Sequence, residues 1–199
     1  MRISYLTKTK TLGPGTRCAI WMQGCKKRCY GCINPEGQNL NGGYEISIDE
    51  LIKKILQYDG ICGITISGGE PFLQYDELLS LIERIKLIGN LDIMLFSGYT
   101  LQQIQVMYPQ CMDLLNNVDI FVDGEYRSEL NDNSQYRGSS NQNIYCFTDK
   151  YRKHIQQIEK SKKRAFSFEI VDNGEVFFVG IPPKGLYEKF LEEIGRQST

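Results

Sequence analysis

The sequence carries little that would attract a charged polymer or a membrane. Its 23 basic and 24 acidic residues leave a formal net charge of −1, so no strong field gathers nucleic acid or anionic lipid. No apolar run approaches the roughly 20 residues that a membrane-spanning helix requires. The opening stretch MRISYLTKTKTLGPGTR has no continuous apolar segment of the kind that marks an export signal. The expectation is a cytoplasmic protein with neither nucleic acid nor membrane as partner. Histidine and tryptophan each occur once: His154 falls on a basic stretch and reads as a surface residue, and Trp21 lies in an apolar run and reads as core. Internal repeats and low-complexity linkers are missing too, and at 41% hydrophobic the 199 residues can bury a sizeable core.

Cysteine, by contrast, is plentiful. Seven are present, at 18, 25, 29, 32, 62, 111 and 146. An odd number, three of them clustered, in a chain without an export signal points to metal or catalytic use and away from disulfides.

Apolar runs alternate with stretches of helical period. Cys18 to Gln23, Ile61 to Ile66, Leu91 to Phe96 and Val118 to Val122 read as buried strands. Ser47 to Tyr58 sets Ile48, Leu51, Ile52, Ile55 and Leu56 on one helical face, with Ser47 as N-cap and Glu50 three residues on. Asp76 to Ile88 repeats the pattern, and Thr100 to Tyr108 is a weaker helix. This alternation predicts an α/β fold with right-handed crossovers and a mostly parallel sheet, open or partly closed into a barrel. Such sheets carry their sites at the C-terminal ends of the strands. The cysteine loop, Ser67-Gly68-Gly69-Glu70-Pro71, Ser97-Gly98-Tyr99 and Asp123-Gly124 each follow a strand, which predicts one shared rim. After a polar loop from Glu125 to Asn143 and a basic connector from 149 to 164, AFSFEIV-DNG-EVFFVGI reads as a β-hairpin. Pro182-Pro183-Lys184-Gly185 and a short amphipathic helix, Leu186 to Ile194, follow. Residues 1–148 are thus expected to form a core domain and 149–199 a C-terminal extension.

Cys25-x3-Cys29-x2-Cys32 is a thiolate array dense enough to surround a soft metal centre. A zinc knuckle, or a redox pair with a third cysteine, is one reading; zinc needs a fourth ligand, from Cys18, Cys62, Cys111, Cys146 or His154. The other is a [4Fe-4S] cluster held by three cysteines, which leaves one iron open to a chelating amine and carboxylate. Lys26, Lys27 and Arg28 form a solvated face whose charge would also favour thiolates. Gly68 and Gly69 let the backbone approach a ligand closely, and Glu70 offers an acceptor for an ammonium group. Cys18 and Cys62, inside apolar strands, read as small buried hydrophobes.

The cysteine array followed by Gly68-Gly69-Glu70-Pro71 after the second strand resembles the radical S-adenosylmethionine superfamily. That resemblance implies a partial (β/α) barrel, a [4Fe-4S] cluster on Cys25, Cys29 and Cys32, and S-adenosylmethionine bound at Gly68, Gly69 and Glu70. Ser97, Asp123 and Asn141 would lie near the cofactor's ribose or methionine. Gly13-Pro14-Gly15-x-Arg17, Gln23-Gly24-Cys25, Gly31-Cys32-x-Asn34-Pro35-Glu36, Ser97-Gly98-Tyr99-Thr100 and Val122-Asp123-Gly124 leading to Arg137-Gly138-Ser139-Ser140-Asn141-Gln142 are similar to the glycyl-radical activases of anaerobic ribonucleotide reductase. The resemblance covers about residues 11 to 143. It implies reductive cleavage to methionine and a 5′-deoxyadenosyl radical, hydrogen abstraction from a glycine of a partner such as anaerobic ribonucleotide reductase, and a flavodoxin or ferredoxin as electron donor, with no catalytic side chain beyond the cofactors. Two departures stand out: Lys-Lys-Arg where that family often has His in the cysteine loop, and a chain that runs on past the Arg-Gly-Ser region. The extension leaves open a radical enzyme acting on a peptide or small molecule, and the array alone leaves open a non-catalytic iron-sulfur or zinc module.

Overall fold

The computed structural model describes residues 1–158, 163–170, 176–186, 189–190 and 192–193. Strands β1 (Arg2–Thr9) and β2 (Arg17–Met22) run antiparallel and are followed by the short β3 (Tyr44–Glu45). Helix α1 (Ile48–Leu56) starts where the Ser47 hydroxyl accepts the Glu50 N–H at 3.2 Å, the cap read from the sequence. Then come β4 (Gly63–Gly68), α2 (Tyr75–Ile88), β5 (Asp92–Phe96), α3 (Leu101–Met107), α4 (Cys111–Leu115), β6 (Ile120–Asp123) and β7 (Asn143–Cys146). Helix α5 (Arg152–Ile158) leads to the hairpin strands β8 (Phe166–Ile170) and β9 (Val176–Gly180).

One seven-stranded sheet has the order β3-β1-β2-β4-β5-β6-β7, and β8-β9 form a separate two-stranded sheet. The central β2, β4, β5 and β6 are parallel, and the flanking β1, β3 and β7 are antiparallel. The fold is therefore mixed α/β with a parallel centre and a separate hairpin, as expected. The sheet is open, with no β3–β7 pairing among the described residues, so closure into a barrel is not seen. The flanking strands, α4 and the short 3-10 turns add to what the apolar runs foretold. The Asp172-Asn173-Gly174 turn and much of the Leu186–Ile194 helix lie outside the described residues.

Period-two alternation divides the buried side chains between two faces. Cys18, Ile20, Ile64, Ile66, Ile93, Leu95 and Phe121 join the apolar stripes of α1 and α2 in the main core. On the other face, Met94, Ile120 and Val122 pack with Tyr136, Ile155 and Ile158, and Leu12 and Ala19 with Val179. Helix α5 and the hairpin thus cover the second face of the sheet.

The N-terminal ends of the parallel strands are tied by one guanidinium. Arg17 is fully buried. Its Nε donates to Thr65 Oγ1 at 2.8 Å, Nη2 to Ile64 O at 2.6 Å and Asp92 O at 3.2 Å, and Nη1 to Pro14 O at 3.1 Å. Nη1 also donates to the Asp92 carboxylate, so all five donors of the fork are used. The other Asp92 oxygen accepts Lys150 Nζ at 2.9 Å and the Tyr151 hydroxyl at 2.5 Å. Burial pushes the Asp92 carboxyl up, but Arg17 and the bonds from Tyr151 and Lys150 outweigh it and hold it below the usual carboxylate value.

Removing one partner of so buried a pair strands the other charge, so Asp92→Ala should lower unfolding free energy by about 3–5 kcal/mol in urea titrations. A depressed carboxyl stabilises the fold above its ordinary pKa of 3.8 and ceases to do so as pH falls through the lower folded value. Wild-type stability should therefore drop on acidification below about pH 4, and the contribution of this residue to that slope should vanish in Asp92→Asn.

Candidate metal and cofactor site

Parallel register brings the strand ends level, pairing Met22 with Gly68, Ile66 with Leu95 and Phe96 with Val122. A cavity of about 920 Å³ lies at this end. Cys25, Cys29, Cys32, Gly68, Gly69, Glu70 and Ser97 all line it. The rim expected from the strand ends is therefore present for these residues.

The cysteine loop is framed by its own polar groups. Gln23 Nε2 donates to Glu36 O at 2.9 Å and Asn39 O at 2.7 Å, and Asn34 Oδ1 accepts the Gly37 N–H at 3.3 Å. The Gly24 and Cys25 N–H groups donate to Gly37 O and Gln38 O, closing the loop on itself. Arg28 Nη1 donates to Cys25 O at 2.5 Å, while Lys27 lies 3.7 Å from Glu125 Oε2 and over the Tyr99 ring.

Gly68 and Gly69 carry a steric role beyond ligand approach. Gly68 has φ +102°, and a Cβ on it would stand 2.5 Å from Met22 N; a Cβ on Gly69 would stand 2.2 Å from Gly24 O. The Gly69 and Glu70 N–H groups donate to Met22 O at 2.7 Å and Gly24 O at 2.8 Å. The glycines thus press the end of β4 against the start of the cysteine loop.

Glu70 is completely buried at the same junction. Its Oε1 accepts the Phe72 N–H at 3.1 Å and the Ser97 hydroxyl at 2.9 Å, and its Oε2 accepts the Gly98 N–H at 2.7 Å. Burial raises its pKa to about 7, against the pull of these donors and of Lys27. Glu70 therefore orders the turns after β4 and β5, with one lone-pair site beyond these three bonds. Ser97 also accepts the Tyr99 N–H at 3.0 Å.

Asp123 and Asn141 stand apart from the cavity wall. Asp123 Oδ2 accepts the Leu101 N–H at 2.7 Å and the Tyr145 hydroxyl at 3.3 Å, and Oδ1 accepts the Asn143 N–H at 3.1 Å. Its carboxylate thus joins the start of α3 to β7. Asn141 Nδ2 donates to Glu125 O at 2.8 Å, but its Oδ1 is buried without a hydrogen-bond partner. Gln142, its neighbour, lines the cavity and ties Gly138, Ser139 and Gly124 together.

Two residues to which the sequence reading gave no role also bear on the site. Asn34 lines the cavity with a buried Nδ2 that lacks a partner. Glu125 Oε1 lies 3.7 Å from Cys29 Sγ. An acidic residue following Asp-Gly at a strand end was the available signal for Glu125, and the place of Asn34 in the activase-like stretch around Cys32 was the signal for Asn34.

Burial, then the Glu125 charge, raises Cys29 to about 11, and burial raises Cys25 as well. The Lys27 backbone N–H and the Arg28 charge pull the Cys25 thiol down, but burial outweighs them. Deprotonation then falls to a bound metal centre. Among the described residues no three His, Cys, Asp or Glu side chains are close enough to hold a single ion. Nor is a fourth cysteine or histidine among the described residues that line the cavity. Cys18 and Cys111 lie in the main core, and Cys62 faces the carbonyls of Pro14 and Thr16. Three thiols lining one cavity, with no fourth cysteine or histidine among the described residues there, suit an iron-sulfur cluster with an open iron better than a closed zinc tetrahedron.

Residues 11–145 match the family model described as a 4Fe-4S single cluster domain. The anaerobic ribonucleoside-triphosphate reductase-activating protein of Vibrio cholerae is 35% identical over 144 residues, 68% of this chain and 91% of the relative. Its Escherichia coli K12 counterpart is 34% identical over 141 residues, 67% and 90% of the two chains. That of Enterobacteria phage T4 is 30% identical over 147 residues, 71% and 91%. With this cysteine loop, this coverage and these relatives, the chain belongs to the anaerobic ribonucleoside-triphosphate reductase-activating protein family, within the 4Fe-4S single cluster group.

Proposed function

We propose that this protein is a radical S-adenosylmethionine activase that installs a glycyl radical on an anaerobic ribonucleoside-triphosphate reductase. The observation that carries the reading is one cavity wall holding Cys25, Cys29 and Cys32 beside Gly68, Gly69 and Glu70, in a chain whose relatives bear that activating name. A [4Fe-4S] cluster with S-adenosylmethionine supplies one-electron cleavage of the sulfonium and a carbon radical able to take a hydrogen from a glycine Cα. Cys25, Cys29 and Cys32 hold the metal. The end of β4, with Gly68 and Gly69, presents backbone groups to the cofactor's amino acid portion, and Glu70 orients that segment while offering its remaining lone pair to the ammonium group. Ser97 fixes Glu70, and Asn34 Nδ2, unpartnered on the cavity lining, is a donor with capacity for a ribose or carboxylate oxygen; Asn141, off the cavity wall, has an unpartnered Oδ1 that can accept from a ribose hydroxyl only if the cofactor reaches past Gln142. Asp123 contributes by positioning α3. Residues 1–148 form the catalytic unit in this reading, and its open sheet, with α1 to α4 on one face, is one side of a partial (β/α) barrel. A flavodoxin or ferredoxin supplies the electron.

Anaerobic reconstitution with iron and sulfide should give a brown protein that, with dithionite, releases 5′-deoxyadenosine and generates a glycyl radical on the reductase, read by electron paramagnetic resonance. Absence of both products would sink the proposal. Cys29→Ala should lose the chromophore and the cleavage together; a variant keeping both would remove Cys29 from the ligand set. Glu70→Ala should keep the iron but weaken S-adenosylmethionine binding by about 1.5–3 kcal/mol in equilibrium titration, through the lost charge-assisted contact. Binding equal to wild type would exclude Glu70 from the cofactor site.

A further inference from the structure

Cys29 lines two cavities, of which the activase reading fills only one. The large cavity of about 920 Å³ is lined by all three ligand cysteines and by β9. Its hairpin wall is fastened in place. The Phe177 ring stacks on Tyr5 at 4.2 Å and 7°, and Val179 is buried beside Leu12 and Ala19. Arg164 donates to Asn131 Oδ1 at 2.9 Å and to the carbonyls of Ser134, Arg137, Gly138 and Pro182 at 2.7–3.0 Å. In the activase reading S-adenosylmethionine and the partner's glycine take this space, which leaves the electron another side to enter by.

A second cavity, of about 290 Å³, reaches Cys29 but neither Cys25 nor Cys32. Cys29 and Tyr30 line it from the cysteine loop, and residues 125–129 line it from the start of the polar loop. The two segments touch: a Cβ on Gly31 would stand 3.6 Å from Ser128 Cβ and from Tyr126 Cε1, and Glu125 Oε1 lies 3.7 Å from Cys29 Sγ. Tyr30 is 87% exposed, and Lys26, Arg28 and Arg127 are exposed as well.

The charge of these segments runs against that of the whole chain. Residues 25–32 and 125–129 carry Lys26, Lys27, Arg28 and Arg127 against Glu125 and Glu129, a net of +2, whereas the chain stands at −1. Glu125 is in turn matched by Lys27, whose Nζ lies 3.7 Å from its Oε2. Arg28 Nη1 donates only to the neutral carbonyls of Cys25 and Lys27. Among the described residues none of Lys26, Arg28 and Arg127 is joined to a carboxylate in an ion pair. Exposed tyrosine and arginine are residue types that carry binding energy at protein interfaces.

Resting on the activase reading, we infer that this face, at the second cavity beside Cys29, receives a small acidic one-electron carrier protein. Lys26, Arg28 and Arg127 steer its carboxylates to the cysteine loop, and Tyr30 packs against it. The carrier loses one electron and the iron-sulfur centre held by Cys29 gains it, with no bond or proton exchanged. Electron transfer weakens steeply with distance, so an approach that reaches a ligand sulfur is favoured over one across the sheet or the hairpin.

The test is anaerobic stopped-flow mixing of the reconstituted holoenzyme with flavodoxin hydroquinone or with reduced ferredoxin, read by bleaching of the cluster absorbance. The double variant Lys26→Glu/Arg127→Glu should lower the second-order rate at least about tenfold, and the wild-type rate should fall as ionic strength rises from about 0.05 to 0.3 M. The same reversal at Lys53 and Lys54, exposed on α1, should leave the rate within about twofold. Tyr30→Ala should lower the rate while keeping the wild-type salt dependence. With dithionite, which needs no docking face, the double variant should release 5′-deoxyadenosine within about twofold of wild type. Failure of the wild type to oxidise either carrier, a salt-independent wild-type rate, or an unchanged rate in the double variant would overturn the inference and leave the activase reading standing. A loss as large in the α1 control, or as large with dithionite, would overturn it too, by showing a general effect of charge or damage to the cluster. Normal electron uptake by the double variant with lost activation of the reductase would assign this face to the reductase and equally overturn the inference. Carrier-driven bleaching that depends on these residues, with no 5′-deoxyadenosine released even with dithionite, would keep the docking face and remove the activase reading.

Discussion

The buried Arg17 guanidinium is the constraint around which the sheet is arranged. A cation removed from water must have every donor satisfied, and Arg17 finds its acceptors in the Pro14 turn, on Thr65 and Ile64 of β4, and on Asp92 of β5. Those acceptors come from three chain segments at one end of a parallel sheet. Once that end is level, the uniform rise of parallel strands makes the other end level as well, and the turns after Met22, Gly68 and Phe96 meet. The Gly13-Pro14-Gly15-x-Arg17 motif is thus remote from the chemistry and still a condition of it: a Cβ on Gly13 would stand 2.8 Å from Arg17 Cδ.

The two ends of the sheet differ in how completely their polar groups are paired. At the Arg17 end a network of Arg17, Asp92, Lys150 and Tyr151 uses its capacity internally. At the cysteine end burial raises the Cys25 and Cys29 thiols and lifts Glu70 to about 7, and Asn34 and Asn141 each keep a buried atom without a hydrogen-bond partner. Incomplete satisfaction is costly in a folded protein unless a ligand completes it. That asymmetry places binding capacity at the C-terminal strand ends on physical grounds independent of any motif.

The parallel strands and α1 to α3 were legible because burial on both faces writes continuous apolar runs and one-sided helices write a 3.6-residue period. β1 escaped because Thr7 and Thr9, buried polar residues, occupy positions where an apolar pattern would announce a strand. β7, four residues with an exposed start, is hidden at the end of a polar loop. The site was legible where spacing in sequence is itself the chemistry, as in the cysteine array. It was obscured where distant residues share one atom. The resemblance set Asp123 near the cofactor's ribose or methionine; that its oxygens also serve Leu101, Asn143 and Tyr145 follows only from the packed structure. Gly68 and Gly69 were recognisable, but that they admit the Gly24 and Met22 backbone follows only from the packed structure.

The region beyond residue 145 answers a problem set by the sheet itself. Met94, Ile120, Val122 and Ala19 form a second apolar face, and a sheet face of that kind exposed to water invites association. Here Ile155 and Ile158 of α5 and Val179 of β9 cover it within the same chain. Because the cover also forms a wall of the cavity, the groups that stabilise it and those that shape the site are coupled: Tyr5, Thr7 and Thr11 hold the hairpin while β9 lines the cavity that the cysteines line. A wall fixed by a ring stack, a buried valine and a five-donor arginine cannot retreat without uncovering apolar surface. The border of the cysteine loop is thus formed jointly by β9 and by the polar loop, whose Tyr126, Ser128 and Gln142 line the same cavity.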